Sequence, residues 1–344
     1  MKKIKIILSL GLLIVFSALA LNAEEAKPKV IRIAGVGNVY GKPYAAAGPL
    51  LVAQVKQYLE EEFKDDGIKI EWNILKGTGP AINEAFANKT VDFTYYGDLP
   101  VIVGIAGGLP LKIVAGTGGG SNIYVTVPAD STVKTIEDLK GKRVGVNKGT
   151  YLHLTFGKVL AARGLSEKDF RIPNIGQADG VAAIAANSID AYVSAAAALD
   201  QQSLGTAKII YDTRNDPNDW RGSGAFTVTA EFAKKYPDIT KRIVKQIVRA
   251  AHWSSDPANR SEVIQIYSKT GTSVSNLIID FGNDAFKDRV NPLLNKAYRD
   301  QIQGGIDFAK AQGYIRKVAN VDDWIDDSYL NAALKELGLE DFWQ

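Results

Sequence analysis

Along this chain, short apolar runs with the two-residue alternation of strands take turns with longer segments whose apolar positions recur every three or four residues. Residues 30–34 read as a strand, followed by a long loop rich in Gly, Ala and Tyr. Residues 45–63 carry apolar positions at helical spacing, with Gly67 behind them as a stop. The pattern then predicts a strand at 69–75, a helix at 78–88, a strand at 91–96, a helix at 100–106 and a strand at 111–115. Such alternation predicts an α/β architecture in which each sheet is mostly parallel and flanked by helices.

A glycine cluster at 116–120 interrupts this block, and residues 121–127 resume as a strand. Residues 135–165 then read as a short helix, the turn Lys140-Gly141-Lys142, a strand at 143–146, a glycine loop, and a helix running to Arg163 with Gly164 as its stop. A helix at 180–186 and strands at 191–193 and 209–211 complete the second block. The polar stretch 213–224 ends it, a strand at 225–228 follows, and the remainder is helical, with 322–337 a late example. The simplest folding returns the tail to the first block. Lobe one is then 24–122 plus 224–344 and lobe two is 123–223, joined by two hinge crossings, a layout that closes on a ligand.

Composition narrows the chemistry. Lys2, Lys3 and Lys5 precede an apolar run at 6–20 and then small residues, which marks residues 1–23 as a secretory signal peptide cleaved after Ala20 or Ala23. The run is short for a membrane span. The chain has no cysteine, which removes disulfides, thiolate metal sites, a cysteine nucleophile and the lipid-modified cysteine of a lipoprotein. The formal charge of +3 includes the three signal lysines, so the mature protein is near neutral, and no basic run marks a nucleic-acid footprint. With two histidines, His153 and His252, there is no HExxH motif or metal-spaced pair, and no Gly-x-Ser-x-Gly elbow is present. No cofactor, metal or catalytic set is expected. The glycines of the first loop fit neither a dinucleotide fingerprint nor a P-loop, since Pro43 stands where Ser or Thr would hold magnesium.

The binding candidates are few. Lys148-Gly149-Thr150-Tyr151 opens the helix of the second block, so unpaired N–H groups and the positive end of the helix dipole meet at one point suited to an oxyanion. Thr150 also suits an ordinary N-cap. Gly97-Asp98 lies at a strand-to-helix turn, where Asp98 can cap the helix and its backbone N–H, rather than its carboxylate, suits an anion. Ser121 follows the glycine cluster. Tyr40 in the first loop and Tyr192 are the tyrosines that best suit an apolar pocket with a polar tip. Arg221, in the second crossing, is the arginine placed for a bidentate contact.

Several stretches together resemble the periplasmic binding proteins of sulfonate, taurine and nitrate importers: Lys76-Gly77-Thr78-Gly79-Pro80-Ala81; the run from Val91 through Gly97-Asp98-Leu99-Pro100; VKTIEDLKGKRVGV at 133–146 with Asn147-Lys148-Gly149-Thr150; and Ala178-Asp179-Gly180 through Ser188-Ile189-Asp190-Ala191. The set is most similar to the aliphatic-sulfonate subgroup. The resemblance implies a two-lobed type II binding-protein fold and a monomeric, non-enzymatic receptor. It implies capture of a small organosulfur anion in the periplasm and delivery to an inner-membrane ABC permease. Nitrate, bicarbonate, taurine or a thiamine-type pyrimidine are the alternative ligands, and a secreted enzyme on this scaffold is the alternative class. The resemblance carries ligand contact onto Gly97-Asp98, onto Gly149-Thr150-Tyr151 and onto Asn38. One departure stands out. Sulfonate binders often carry Trp-Asp-Pro soon after the equivalent of Asp190-Ala191, where this chain reads Tyr192-Val193-Ser194-Ala195-Ala196-Ala197. The missing tryptophan leaves room for a bulkier ligand.

Overall fold

A computed structural model describes residues 27–36, 44–45, 48–75 and 77–344. The expected signal peptide lies outside the described residues, as do Asn38 and Tyr40 of the first loop. No helix among the described residues is long and apolar enough to cross a membrane.

Two sheets organise the molecule. The first contains β1 (Val30–Val36), β2 (Lys69–Leu75), β3 (Phe93–Gly97), β4 (Leu111–Gly116) and β9 (Gly224–Thr229), in the order β2-β1-β3-β9-β4. The second contains β5 (Tyr124–Pro128), β6 (Val144–Gly145), β7 (Ala191–Ser194) and β8 (Ala207–Asp212), in the order β6-β7-β5-β8. In the first sheet β9 alone runs against its neighbours, and in the second β5 alone does so. The sheets are therefore mixed, each with one reversed strand. That strand is in each case the one entered directly from a crossing, and its arrival from the other lobe sets its direction.

The crossings are the segments 117–123 and 213–223. They pair with each other where the N–H of Ser121 donates to the Gly222 carbonyl at 3.0 Å and the N–H of Gly222 donates back at 2.9 Å. Lobe one packs its sheet against helices whose spine is Pro237–Ser255, with Ile239, Ile243, Val244, Ile247 and Val248 buried on one face. Lobe two has a smaller core around Val125, Val144, Phe156, Val159 and Val193.

Two local expectations change, and one helix lies where none was expected. The helix expected at 45–63 is two, Pro49–Val55 and Tyr58–Phe63, because Gln57 adopts a left-handed conformation at φ 57° between them. A helix at Ala197–Ser203 occupies the alanine run. The late helix begins at Ser328, after a 3₁₀ turn at Val321–Asp323.

Candidate functional site

Between the lobes lies a cavity of ≈ 350 Å³. Helices from both lobes begin at its wall. Gly48 precedes Pro49–Val55, Thr78 precedes Gly79–Ala87, Gly97 precedes Asp98–Ala106, Thr150 precedes Tyr151–Ala162, Gln177 opens Gln177–Ala185 and Ala196 precedes Ala197–Ser203. Each start contributes partial positive charge, so their convergence favours an anion.

The strongest of these starts is Gly149-Thr150-Tyr151. Gly149 has φ +77°, which an L side chain rarely adopts, and this turn leads directly into the helix. The Thr150 hydroxyl does not cap the helix but donates to the Asn147 carbonyl at 2.7 Å. The N–H groups of Thr150, Tyr151 and Leu152 have no acceptor among the described residues, and all three residues line the cavity. The Gly149 N–H points instead at Nδ1 of His153, at 3.3 Å. His153 is buried, with Nε2 2.6 Å from Oε1 of Glu167, so it braces the loop. Facing this turn from lobe one is the start at Thr78-Gly79-Pro80, since a Cβ added to Gly149 would lie 3.1 Å from Cγ of Pro80. The Gly79 N–H likewise has no acceptor among the described residues.

Gly97-Asp98 behaves otherwise than expected. Gly97 lines the cavity, but Asp98 does not, being buried beneath it. Its N–H donates to the Ser223 carbonyl at 3.0 Å, so it is not free for a ligand. Its carboxylate accepts from the N–H of Leu99 at 2.7 Å and from the N–H and hydroxyl of Ser223 at 3.1 and 3.3 Å. Burial raises its pKa in spite of these donors and Lys158. Asp98, the first residue of its helix, thus takes up the Leu99 N–H and ties the helix to the second crossing. The lobe-one N–H facing the Thr150 turn belongs to Gly79, within the Lys76–Ala81 motif already noted in the sequence.

The other candidates divide. Ser121 and Tyr151 line the cavity. The Tyr151 side chain lies over both Gly97 and Gly222, where added Cβ atoms would meet its Cβ at 3.2 Å and its ring Cδ2 at 2.3 Å, and its hydroxyl has no partner among the described residues. Burial pushes that phenol's pKa up. Tyr192 is fully buried under Gly180, with its hydroxyl donating to the Ile175 carbonyl at 3.3 Å, and does not reach the cavity. Arg221 is also buried off the cavity wall. It donates to Asp284 at 2.8 Å and to the Thr213 carbonyl at 3.0 Å, and so braces the second crossing. The arginine that does line the cavity is Arg289, and Tyr267, Leu277, Asp280 and Phe281 line it beside Arg289. These come from helices after residue 260, and no local motif marks them. Ala195, Ala196 and Ala197 line the wall where the tryptophan was missed, so the space there is open.

Known proteins share this fold. The NMT1/THI5-like family profile matches residues 45–259. A Bacillus subtilis protein named for binding aliphatic sulfonates is 26% identical over 294 residues, covering 84% of this chain and 85% of its own. The structure of a periplasmic sulfonate-binding protein of a sulfonate ABC transporter from Methylobacillus flagellatus superposes with a TM-score of 0.79 at 35% identity, covering 92% of this chain and 97% of that one. A desulfurization enzyme shares the fold at 18% identity, with a TM-score of 0.67 over 90% of this chain and 100% of its own. From the first three matches together, the chain belongs to the NMT1/THI5-like family.

Proposed function

We propose that this protein is the extracytoplasmic receptor of an ABC importer and captures an organosulfur oxyanion, an alkanesulfonate, aryl sulfonate or sulfate ester, between its lobes. The observation that carries this is the pair of helix starts facing each other across the cleft, Gly79 from one lobe and Thr150–Leu152 from the other, with N–H groups left unpaired. The mature chain begins after residue 20 or 23, lobe two spans 123–223, and the protein acts as a periplasmic monomer that presents both lobes to its permease on closure. An alkyl or aryl tail fits beside Tyr95, Tyr96, Leu277 and Phe281, in the room left by Ala195–Ala197.

The desulfurization enzyme of the same fold makes catalysis the reading to beat. A hydrolytic or desulfurizing site needs a nucleophile–base pair in the cleft. The described cavity lining includes no histidine, and the chain has no cysteine. Titration calorimetry with alkanesulfonates, aryl sulfonates, sulfate esters, taurine, nitrate and bicarbonate tests the proposal. Micromolar or tighter binding of an organosulfonate or sulfate ester, with the ligand recovered unchanged by mass spectrometry, is expected. Binding of nitrate or bicarbonate alone, or conversion of the ligand, overturns it.

A further inference from the structure

We propose that the cleft has a second pole, in which the carboxylate of Asp280 receives a hydrogen-bond donor on the ligand's tail. The donor is an ammonium or a hydroxyl group. The proposal rests on the sulfonate reading above and narrows its substrate class to sulfonates that carry such a tail.

Asp280 and Arg289 are the charged side chains among the described lining residues. Arg289 is already committed. It donates from Nε to Asp284 at 2.9 Å, from Nη1 to the Gly120 carbonyl and from Nη2 to the Asp280 carbonyl at 3.1 Å. Asp280 is only half committed. Its Oδ1 accepts from the Tyr124 hydroxyl at 2.6 Å and from the Asn122 amide at 3.0 Å, while Oδ2 has no donor among the described residues. An ionised carboxylate offers lone pairs on both oxygens, so this one retains acceptor capacity in the cavity wall.

Two further facts point the same way. Asp280 lies in the last turn of the helix Val274–Phe281, so its charge adds to the negative end of that helix, whereas the cavity's helix starts are positive. A ligand with an anionic head for the helix starts and a donor tail for Asp280 matches this wall. Tyr267 is only 2% exposed, lines the cavity, and its hydroxyl is buried without a partner. An unpaired buried hydroxyl is costly until something bonds to it. Its ring lies 5.8 Å from that of Phe281, the residue after Asp280. A plain alkyl tail would cover Oδ2 without replacing its water, and a second anion would be repelled.

The test is calorimetry with propanesulfonates ending in an amine, a hydroxyl or neither, on the wild type, Asp280→Asn and Tyr267→Phe. The wild type is expected to bind the amine-ended ligand roughly tenfold or more tightly than the plain one. Asp280→Asn keeps an oxygen for Tyr124 and Asn122 and is expected to bring that ratio to within about threefold. Tyr267→Phe is expected to lower the ratio while raising the melting temperature of the ligand-free protein, because a buried unpaired hydroxyl is removed. A gain for both tails identifies neutral hydrogen bonding and a gain for the amine alone identifies charge pairing, and either supports the proposal. Equal affinity of the wild type for all three ligands overturns it, as does an Asp280→Asn loss of the same proportion for every ligand. If none of the three binds, the sulfonate reading itself falls and takes this inference with it.

Discussion

Gly222→Ala isolates the step in which the lobes meet. An added Cβ would sit 2.3 Å from Cδ2 of Tyr151, 3.0 Å from Cγ and 3.1 Å from Cε2. Carbon atoms pack at about 3.5–4.0 Å, so the ring must retreat by roughly an ångström or more. Gly222 cannot easily give way, because its N–H and carbonyl are both bonded to Ser121 in the other crossing. Its φ lies outside the left-handed range, so the cost is steric rather than conformational. Overpacking of this kind costs about 1–3 kcal/mol. Tyr151 opens a lobe-two helix and Gly222 belongs to the segment leading back to lobe one, so the clash bears on the closed arrangement. Calorimetry with the tightest sulfonate is therefore expected to show a Kd raised by roughly 5- to 150-fold. The ligand-free melting temperature should change little. In a Tyr151→Ala background the same substitution should cost under about 0.5 kcal/mol, because its collision partner is gone. The reasoning is refuted if Gly222→Ala binds within about twofold of the wild type, or if it loses as much affinity without the Tyr151 ring as with it.

Tyr192→Phe removes the hydroxyl bonded to the Ile175 carbonyl and should cost about 1 kcal/mol in urea unfolding while leaving the sulfonate Kd unchanged, since Tyr192 lies outside the cavity. Arg221→Met strips one of two arginines from Asp284 and two bonds to backbone carbonyls, and should lower unfolding stability by about 3 kcal/mol. Glu167 is pushed up by burial, but the close His153 imidazole and the hydrogen bond from Tyr314 outweigh this and hold its pKa below the ordinary value of 4.5. With the folded value below the unfolded one, its contribution is present above about pH 4.5 and is lost as the pH falls through the folded value. Tyr314→Phe removes one of those donors, so the drop in melting temperature between neutral pH and about pH 3.5 should be smaller in the variant than in the wild type.

Much of the fold was legible because local pattern and tertiary structure agree. The alternation at 69–75 is β2 as observed, and the Thr78 and Tyr151 helices begin within a residue of the positions their glycine and proline signals mark. The contacts proposed at Gly149–Tyr151 could be named from the sequence because they are backbone groups at a helix start, and a turn and the helix it opens are local. The site was not legible at Gly97-Asp98. There the sequence is compatible with both a capping carboxylate and a ligand contact, and the bonds the structure shows go to Ser223, 125 residues away. Tyr192 and Arg221 show the same limit, since a tyrosine or arginine serves equally well as a pocket wall or a buried brace. Asp280, Arg289 and Tyr267 carried no signal, because their helices are amphipathic in the ordinary way and the cavity is made only when the tail returns to lobe one.

Periodicity, glycine position and the order of blocks were thus enough to predict a two-lobed α/β chain with a helix start suited to an oxyanion, since each depends on residues close in sequence. The tertiary structure alone decided which donors remain unpaired, which charges face the cleft and which strand in each sheet is reversed. Those properties depend on partners brought together across two crossings, and a hydrogen bond is either taken or left free only once both ends are in place.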